Sequence, residues 1–339
     1  MTLPDTMRAA RIHAYGPPDV FRVEQVPVPA PAPGEVLVRI HASSVNPVDC
    51  KIRAGNMRGV IWRRPPLTLG MDFSGEVVAC GAGATQFKVG DEVYASPDHK
   101  REGTYAQHMT VPQSQIALKP ESMTHEQAAS IPLVGLTAWA CLVDHIDVQP
   151  DQRVLVQAGS GGVGTFAVQL ARALGAHVIS TCSARNIELV ESLGAHQVID
   201  YTNQTILEGV DAPLDGCLDA INDPEATAHM FQRCRKGARV AAITSGIPEA
   251  TKKYGPWASP VVVGVEIAGS MLKAARHGVQ YRSALRASDG QKLAQITALI
   301  DAGKIRAVVD EVFPLEDLAG AHAYSETGRA RGKIVIRVD

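Results

Sequence analysis

The spacing of hydrophobic residues changes along the chain and divides it into three stretches. Up to about residue 126, short apolar runs alternate with glycine and proline turns, as in a compact and mostly antiparallel β domain. We predict its strands at residues 8–13, 21–26, 35–42, 74–80, 92–95, 105–111 and 115–118. The proline-rich run 27–34 cannot be helical, and we expect it to be an extended surface connection.

From Arg153 the pattern becomes one of apolar strands alternating with amphipathic helices, which predicts a doubly wound parallel sheet. Two helical patterns, at 124–131 and 136–146, precede this sheet. Its strands are predicted at 153–158, 177–181, 197–200, 214–220, 238–244 and 279–285. Its helices are predicted at 163–174, 187–193, 224–234 and 261–277. Helices at 288–302 and 315–327 and strands at 307–313 and 333–338 follow. The predicted class is α/β, with residues 1–126 and 287–339 in a β-rich domain and 127–286 in the parallel-sheet domain.

A glycine-rich turn joins the first parallel strand to its helix. The residues Gly159, Ser160, Gly161, Gly162, Val163 and Gly164 fit the pattern G-x-G-x-x-G, and they stand between a strand and a helix as that motif requires. Glycines let backbone N–H groups approach a pyrophosphate, whose charge the helix N-terminus favours. We therefore expect these six residues to bind a dinucleotide.

Composition excludes several classes of function. A net charge of -2 gives no electrostatic case for binding nucleic acid or an anionic membrane. We find neither a secretory signal nor an apolar stretch of membrane-spanning length. The six cysteines are scattered without a C-x-x-C pair, and we expect reduced thiols in a cytoplasmic protein.

Several further segments, in this order, resemble the medium-chain dehydrogenase/reductase superfamily. They are Gly70-Met-Asp-Phe-Ser-Gly75, Phe87-Lys-Val-Gly-Asp-Glu-Val93, Gly103-Thr-Tyr-Ala106, Gly135-Leu-Thr-Ala-Trp139, Leu193-Gly-Ala195, Val198-Ile-Asp-Tyr201 and Gly332-Lys-Ile-Val335. The resemblance is closest to the zinc-free quinone oxidoreductase branch, the zeta-crystallin-like enzymes. It implies a GroES-like fold for the β-rich catalytic domain, a Rossmann fold for the parallel sheet, and a homodimer.

Two residues stand where the zinc alcohol dehydrogenases of this superfamily carry metal ligands. Asn46 replaces a cysteine and Met71 replaces a histidine, and residues 90–115, where a structural zinc lobe would lie, contain no cysteine. An amide and a thioether are poor zinc ligands. We therefore predict a protein without zinc that reduces a quinone or an activated C=C bond, because conjugation already makes such acceptors electrophilic.

The resemblance places Asn46 and Thr137 at the nicotinamide, and we predict both as catalytic residues. Asn46 is expected to donate a hydrogen bond to the substrate carbonyl or to the nicotinamide ribose, and the alternative is a turn residue before proline. For Thr137 the alternative is a residue at the start of a helix. Thr244, Ser245 and Gly246 end the fifth parallel strand, at the carboxyl edge where ligands bind. Asp49 and Asp72 either flank the site or anchor loops.

The residues after the second parallel strand favour NADPH over NADH. In relatives that prefer NAD, a carboxylate about 20 residues past the glycine turn binds the ribose 2′-OH. Thr181 stands at that position here, and no carboxylate follows before Glu188. Ser183 and Arg185 can bind a 2′-phosphate, and the resemblance places Tyr201 beside the adenine ribose.

The sequence thus predicts an NADPH-dependent reductase of a small-molecule quinone or α,β-unsaturated carbonyl. Two alternatives stay open: a non-catalytic NADPH-binding redox sensor or structural protein, and a zinc-type alcohol dehydrogenase. Neither the acceptor nor the proton donor follows from the sequence.

Overall fold

Residues 3–61, 63–98, 101–243 and 246–339 are described by a computed structural model. Two units divide the chain: Met1–Leu136 with Ala287–Ala302 and Ala307–Asp339 form the first, and Thr137–Arg286 with Gly303–Arg306 form the second. The first segment of the first unit ends at Leu136, ten residues after the predicted boundary at 126. The chain returns to this unit at Ala287, as predicted.

The first stretch folds into antiparallel strands, as its short apolar runs predict. Its strands are β1 (Thr6–Ile12), β2 (Phe21–Pro27), β3 (Glu35–Val45), β4 (Leu67–Thr68), β5 (Phe73–Cys80), β6 (Glu92–Ala95), β7 (His108–Pro112) and β8 (Ile116–Leu118), and its helices are α1 (Pro47–Arg53), α2 (His125–Ala129) and α3 (Pro132–Trp139). Strand β1 pairs with β2 and β4, whereas β3 pairs with β5 and β7. Strand β6 joins β5 to β8.

The second unit contains a six-stranded sheet in which every pair is parallel. Its elements are β9 (Arg153–Val156), α4 (Gly162–Ala173), β10 (His177–Cys182), α5 (Ile187–Ser192), β11 (Gln197–Asp200), α6 (Ile206–Gly209), β12 (Leu214–Asp219), α7 (Pro224–Arg233), β13 (Cys234–Ala242), α8 (Ile247–Tyr254), α9 (Ser259–Arg276) and β14 (Gln280–Ser283). The strand order is β11-β10-β9-β12-β13-β14, with parallel registers throughout. This order is that of a doubly wound sheet, the kind of sheet that the sequence predicts.

The end of the chain returns to the first unit. It forms α10 (Gly290–Asp301), β15 (Val309–Pro314), α11 (Leu318–Glu326) and β16 (Lys333–Arg337). Strand β16 pairs antiparallel with the end of β3, where Ile334 lies opposite Val45. This pairing places Lys333 next to Asn46, the residue that directly follows β3. The α/β fold class is confirmed.

Several helices differ from the prediction. Helices α1, α6 and α8 are not among the predicted elements. Helices α1 and α8 both have a proline in the first turn, a position that proline tolerates. Helix α3 starts at Pro132 rather than at residue 136, and a π-helical segment, Ala140–Ile146, follows it. Within residues 3–61, 63–98, 101–243 and 246–339, no helix has both the length and the apolar character to cross a membrane.

Candidate functional site

The turn between β9 and α4 has glycine at two positions where packing leaves no room for a side chain. A Cβ at Gly159 would lie 2.2 Å from Ser180 Oγ, and a Cβ at Gly164 would lie 2.0 Å from the carbonyl oxygen of Ala158. Ala158 has a φ of 56°, so the chain turns sharply before the helix begins at Gly162. Packing alone accounts for the first and last glycines of the motif.

Gly161 has a different environment. A Cβ there would come no closer than 3.4 Å to Ala158 O, so packing does not demand glycine, whereas a ligand lying against the backbone would. The N–H groups of Gly162, Val163 and Gly164 lie in the first turn of α4, where a helix offers them no acceptor. The turn therefore fits the pyrophosphate of a dinucleotide, which it would hold through backbone N–H groups.

Three polar side chains connect this turn to the end of β10. Thr181, 2% exposed, accepts a hydrogen bond on Oγ1 from Ala158 N at 3.0 Å, so its side chain positions the glycine turn. Asn186 donates through Nδ2 to Ser160 Oγ at 2.9 Å and to Ser183 Oγ at 3.3 Å. Asn186 joins two predicted cofactor residues, and sequence reasoning missed it because no motif includes it. Its buried Oδ1 has no hydrogen-bond partner in the described part of the chain.

A carboxylate also lies at this end of the sheet, on the neighbouring strand. Asp200, on β11, lies opposite Cys182 on β10. The sequence-based prediction considered only the residues that directly follow β10, where no carboxylate occurs before Glu188. Asp200 accepts hydrogen bonds from Thr202 N at 3.0 Å, Thr202 Oγ1 at 2.7 Å and Asn203 Nδ2 at 2.6 Å. The Thr202 hydrogen bonds hold the pKa of Asp200 below its usual value. This carboxylate is thus ionised and already bound by local donors.

The other predicted cofactor residues lie at various degrees of exposure. Arg185 is exposed on the turn after β10, and Tyr201, 60% exposed, follows β11. Gly246 has a φ of 64° and precedes α8. The predicted residues Thr244 and Ser245 lie outside the described residues. Thr137 is half-buried in the middle of α3, so the alternative of a residue at a helix start is wrong.

In the first unit, Asn46 joins β3 to α1 and is almost completely buried, at 1% exposure. Its Nδ2 donates to Asp72 Oδ2 at 2.9 Å and to Asp49 Oδ2 at 3.3 Å. Its Oδ1 accepts from Lys333 Nζ at 2.5 Å, and its backbone N donates to Asp49 Oδ2 at 3.0 Å. Asn46 is therefore the centre of a buried polar cluster rather than an exposed turn residue.

Asp72 and Lys333 complete this cluster, which we call the Asn46 cluster: Asn46, Asp49, Asp72 and Lys333. Asp72 accepts hydrogen bonds from Ser44 Oγ at 2.7 Å and from Leu133 N at 2.7 Å, and Lys333 Nζ lies 3.5 Å from Asp72 Oδ2. Both charged residues are buried, at 0% and 5% exposure. Desolvation lowers the pKa of Lys333 from its ordinary value, and the Asp72 charge opposes that shift.

A second set of buried polar groups borders the cluster. Arg53 Nη1 lies 3.3 Å from His322 Nδ1, and His322 Nε2 lies 3.2 Å from Tyr105 Oη. Because arginine only donates, His322 carries its proton on Nε2 and donates to Tyr105. Burial lowers the pKa of His322 to about 3, and Arg53 adds to this shift. His322 is thus neutral, and Cys50 lies 3.4 Å from its Nδ1.

The donor set does not fit zinc. The described residues contain no group of three or more His, Cys, Asp or Glu side chains able to hold a metal ion. Asp72 already receives hydrogen bonds from Ser44, Asn46 and Leu133. The ammonium of Lys333 lies beside Asn46 Oδ1, and its charge would repel a metal ion at that oxygen. The Asn46 cluster therefore offers no suitable position for a metal ion.

Sequence comparison identifies the family. The model for the alcohol dehydrogenase GroES-like domain matches residues 32–121, and the model for zinc-binding dehydrogenases matches residues 193–336. The mitochondrial NAD(P)H oxidoreductase RTN4IP1 of Homo sapiens is 37% identical over 98% of this chain and 89% of that protein. The chloroplast envelope quinone oxidoreductase homolog of Arabidopsis thaliana is 33% identical over 92% of each chain.

Structural comparison agrees. The quinone oxidoreductase of Coxiella burnetii superposes with a TM-score of 0.84, at 27% identity, over 98% of this chain and 100% of that one. This chain belongs to the medium-chain dehydrogenase/reductase superfamily, in its quinone oxidoreductase branch. That membership indicates a nicotinamide-dependent reductase. The Homo sapiens relative is named as mitochondrial and the Arabidopsis thaliana relative as a chloroplast envelope protein, so the cytoplasmic location stays a prediction.

Proposed function

We propose that this protein is an NADPH-dependent reductase that transfers hydride to a quinone or an α,β-unsaturated carbonyl without zinc. The observation that carries the proposal is Gly161, where packing leaves room for a side chain while backbone N–H groups of the next residues lack helical acceptors. A bound nicotinamide would supply the hydride. This chain would bind the cofactor and stabilise the charge that develops on the acceptor.

Support for NADPH comes from the polar groups at the end of β10. Ser183 is fixed by Asn186 and the Arg185 guanidinium is exposed, so both suit a 2′-phosphate. The carboxylate of Asp200 opposes this choice, but its hydrogen bonds from Thr202 and Asn203 satisfy much of its charge. Because those donors lie on Asp200's own turn, the carboxylate is held by that turn.

Support for the acceptor chemistry comes from the Asn46 cluster. Of the two Asn46 Nδ2 hydrogen bonds, the one to Asp49 is the longer at 3.3 Å, and we assign this N–H to the acceptor oxygen. Lys333 donates to Asn46 Oδ1 at 2.5 Å, and this contact polarises the amide so that its Nδ2 group becomes a stronger hydrogen-bond donor. Such a donor stabilises negative charge that develops on oxygen when hydride adds to a conjugated system. A metal Lewis acid is not needed for this role.

The test is turnover of NADPH with a panel of quinones and enones, together with elemental analysis. We expect NADPH oxidation with at least one of these acceptors, NADPH preferred to NADH, and well under one zinc per chain. Cofactor binding without turnover on any acceptor would favour the non-catalytic NADPH-binding protein. Stoichiometric zinc with activity lost on chelation would favour the alcohol dehydrogenase.

A further inference from the structure

The Asn46 cluster contains more acidic than basic groups. Its carboxylates Asp49 and Asp72 are 1% and 0% exposed, and its cation, Lys333, is 5% exposed. Lys333 Nζ lies 3.5 Å from Asp72 and makes its other bonds to Asn46 Oδ1 and Val45 O. Two buried carboxylates with one ammonium leave one uncompensated charge, which is costly unless one carboxyl holds a proton.

Asp49 is the carboxyl with the spare oxygen. Its Oδ2 accepts from Asn46 N and Nδ2, whereas its buried Oδ1 has no hydrogen-bond partner among the described residues. Asp49 also lines a cavity of about 20 Å³ whose wall includes Ile52, Ile61 and Met71. That volume is enough for one water molecule.

We propose that Asp49 is the proton donor for the reduced acceptor, acting through one water in this cavity. The assignment rests on the proposed reductase function and deepens it. Hydride addition leaves the acceptor as an enolate or hydroquinone anion. The O–H bond of Asp49 breaks and an O–H bond of the bridging water forms, while that water gives a proton to the acceptor oxygen. The acceptor leaves as enol or hydroquinone, and the Asp49 carboxylate regains its proton from solvent.

The other titratable groups facing Asp49 are poorly suited to this step. Burial and the Asp49 charge raise the pKa of Tyr105 well above its ordinary value. Burial raises the pKa of Cys50 to about 12 and lowers that of His322 to about 3. Lys333 is engaged with Asn46 and Asp72. Charged residues also line the cavity: Arg63, Asp98, Arg101 and Glu102. Of these, Arg63 pairs with Glu102, and Arg101 pairs with Glu35.

The pH dependence follows from the same environment. The pKa of Asp49 is raised to about 7, mainly by desolvation and in part by the Asp72 charge, while the Asn46 hydrogen bonds and the Lys333 charge oppose this rise. Only the protonated carboxyl donates, so kcat is expected to fall as pH rises through this pKa.

Asp49→Asn is the decisive variant because it keeps the oxygen that accepts from Asn46 and removes the acid. We expect kcat to drop about 100-fold and its alkaline decline to vanish. Glu102→Gln is the matched control, since Glu102 lines the same cavity but pairs with Arg63 outside the cluster; it should keep the wild-type pH profile. In cofactor-free protein, infrared spectra should show a protonated carboxyl band near pH ~6 that Asp49→Asn lacks.

The outcomes separate the two proposals. Wild-type turnover with an unchanged alkaline decline in Asp49→Asn would overturn the proton donor and leave the reductase function intact. A wild-type protein without the carboxyl band would also overturn it. If the wild type reduces no quinone or enone, the reductase function fails, and the proton donor fails with it.

Discussion

The glycine turn and the Asn46 cluster are built in opposite ways. The turn works by leaving space: Gly161 carries no side chain where one would fit, and Arg185 and Tyr201 extend into solvent. The cluster works by filling space, and its four members are each at most 5% exposed. Binding at the turn therefore depends on backbone shape and exposed charge, whereas chemistry at the cluster depends on charges held away from water.

This difference separates the effects of substitution. An exposed guanidinium is solvated whether or not a ligand is present, so its loss changes ligand affinity and leaves folding nearly unchanged. A buried ammonium compensates a buried carboxylate, so its loss leaves an unpaired charge in a low-dielectric interior. The following substitutions test that contrast.

Lys333→Met should cause the largest loss of stability. It keeps the length of the side chain and leaves Asp72 without its cation, which costs about 3–5 kcal/mol when a buried pair is broken. Lys119→Met is the control, because the Lys119 side chain is also only 8% exposed but pairs with Glu92, whose side chain is 54% exposed and therefore solvated without its partner. Urea unfolding of both variants measures the difference. Equal costs would show that the cluster is not a special electrostatic unit.

Gly164→Ala and Gly161→Ala should separate packing from binding within the turn. At Gly164 a Cβ would lie 2.0 Å from Ala158 O, and relief of that clash should cost about 3 kcal/mol. At Gly161 the nearest atom is 3.4 Å away, so the protein should fold normally and bind NADPH weakly. Thermal unfolding and NADPH fluorescence titration distinguish these effects. A Gly161→Ala protein with normal affinity would remove the main support for the pyrophosphate site.

Arg185→Ala should weaken NADPH binding without changing the fold. Loss of a charge-assisted hydrogen bond, worth ~1.5–3 kcal/mol, should raise KM for NADPH about 10- to 100-fold and leave NADH kinetics nearly unchanged. Arg172→Ala, at the other end of α4 where Arg172 contacts His196, serves as the control. Equal losses with both cofactors, or a wild-type preference for NADH, would mean that Asp200 outweighs Ser183 and Arg185.

The sequence predicted the two regions to different extents. The glycine turn is a contiguous segment, so its strand, turn and helix can be recognised together in the sequence. Two short strands were also predicted well: β6 and β11 match their predicted bounds. The Asn46 cluster joins residues from three separate parts of the chain, and the pairing of β16 with β3 brings Lys333 to the other members. Asn46 itself was found from a family resemblance, whereas the role of Lys333 required the register. Asp200 was missed for a similar reason: the prediction considered only the residues after β10, whereas Asp200 lies on the neighbouring strand β11.

Asn46→Ala tests the smallest expected loss of stability within the Asn46 cluster. A turn residue before proline, the alternative from sequence, would contribute little to stability. Asn46 is buried, donates to Asp72 and accepts from Lys333, so its removal should cost about 1–2 kcal/mol. Ser44→Ala removes another donor to the same Asp72 oxygen and should cost a similar amount. If Asn46 also donates to the acceptor oxygen, kcat should fall about 10-fold or more in Asn46→Ala alone. Parallel losses of kcat in both variants would instead assign Asn46 a purely structural role, in which it positions Asp72 and Lys333.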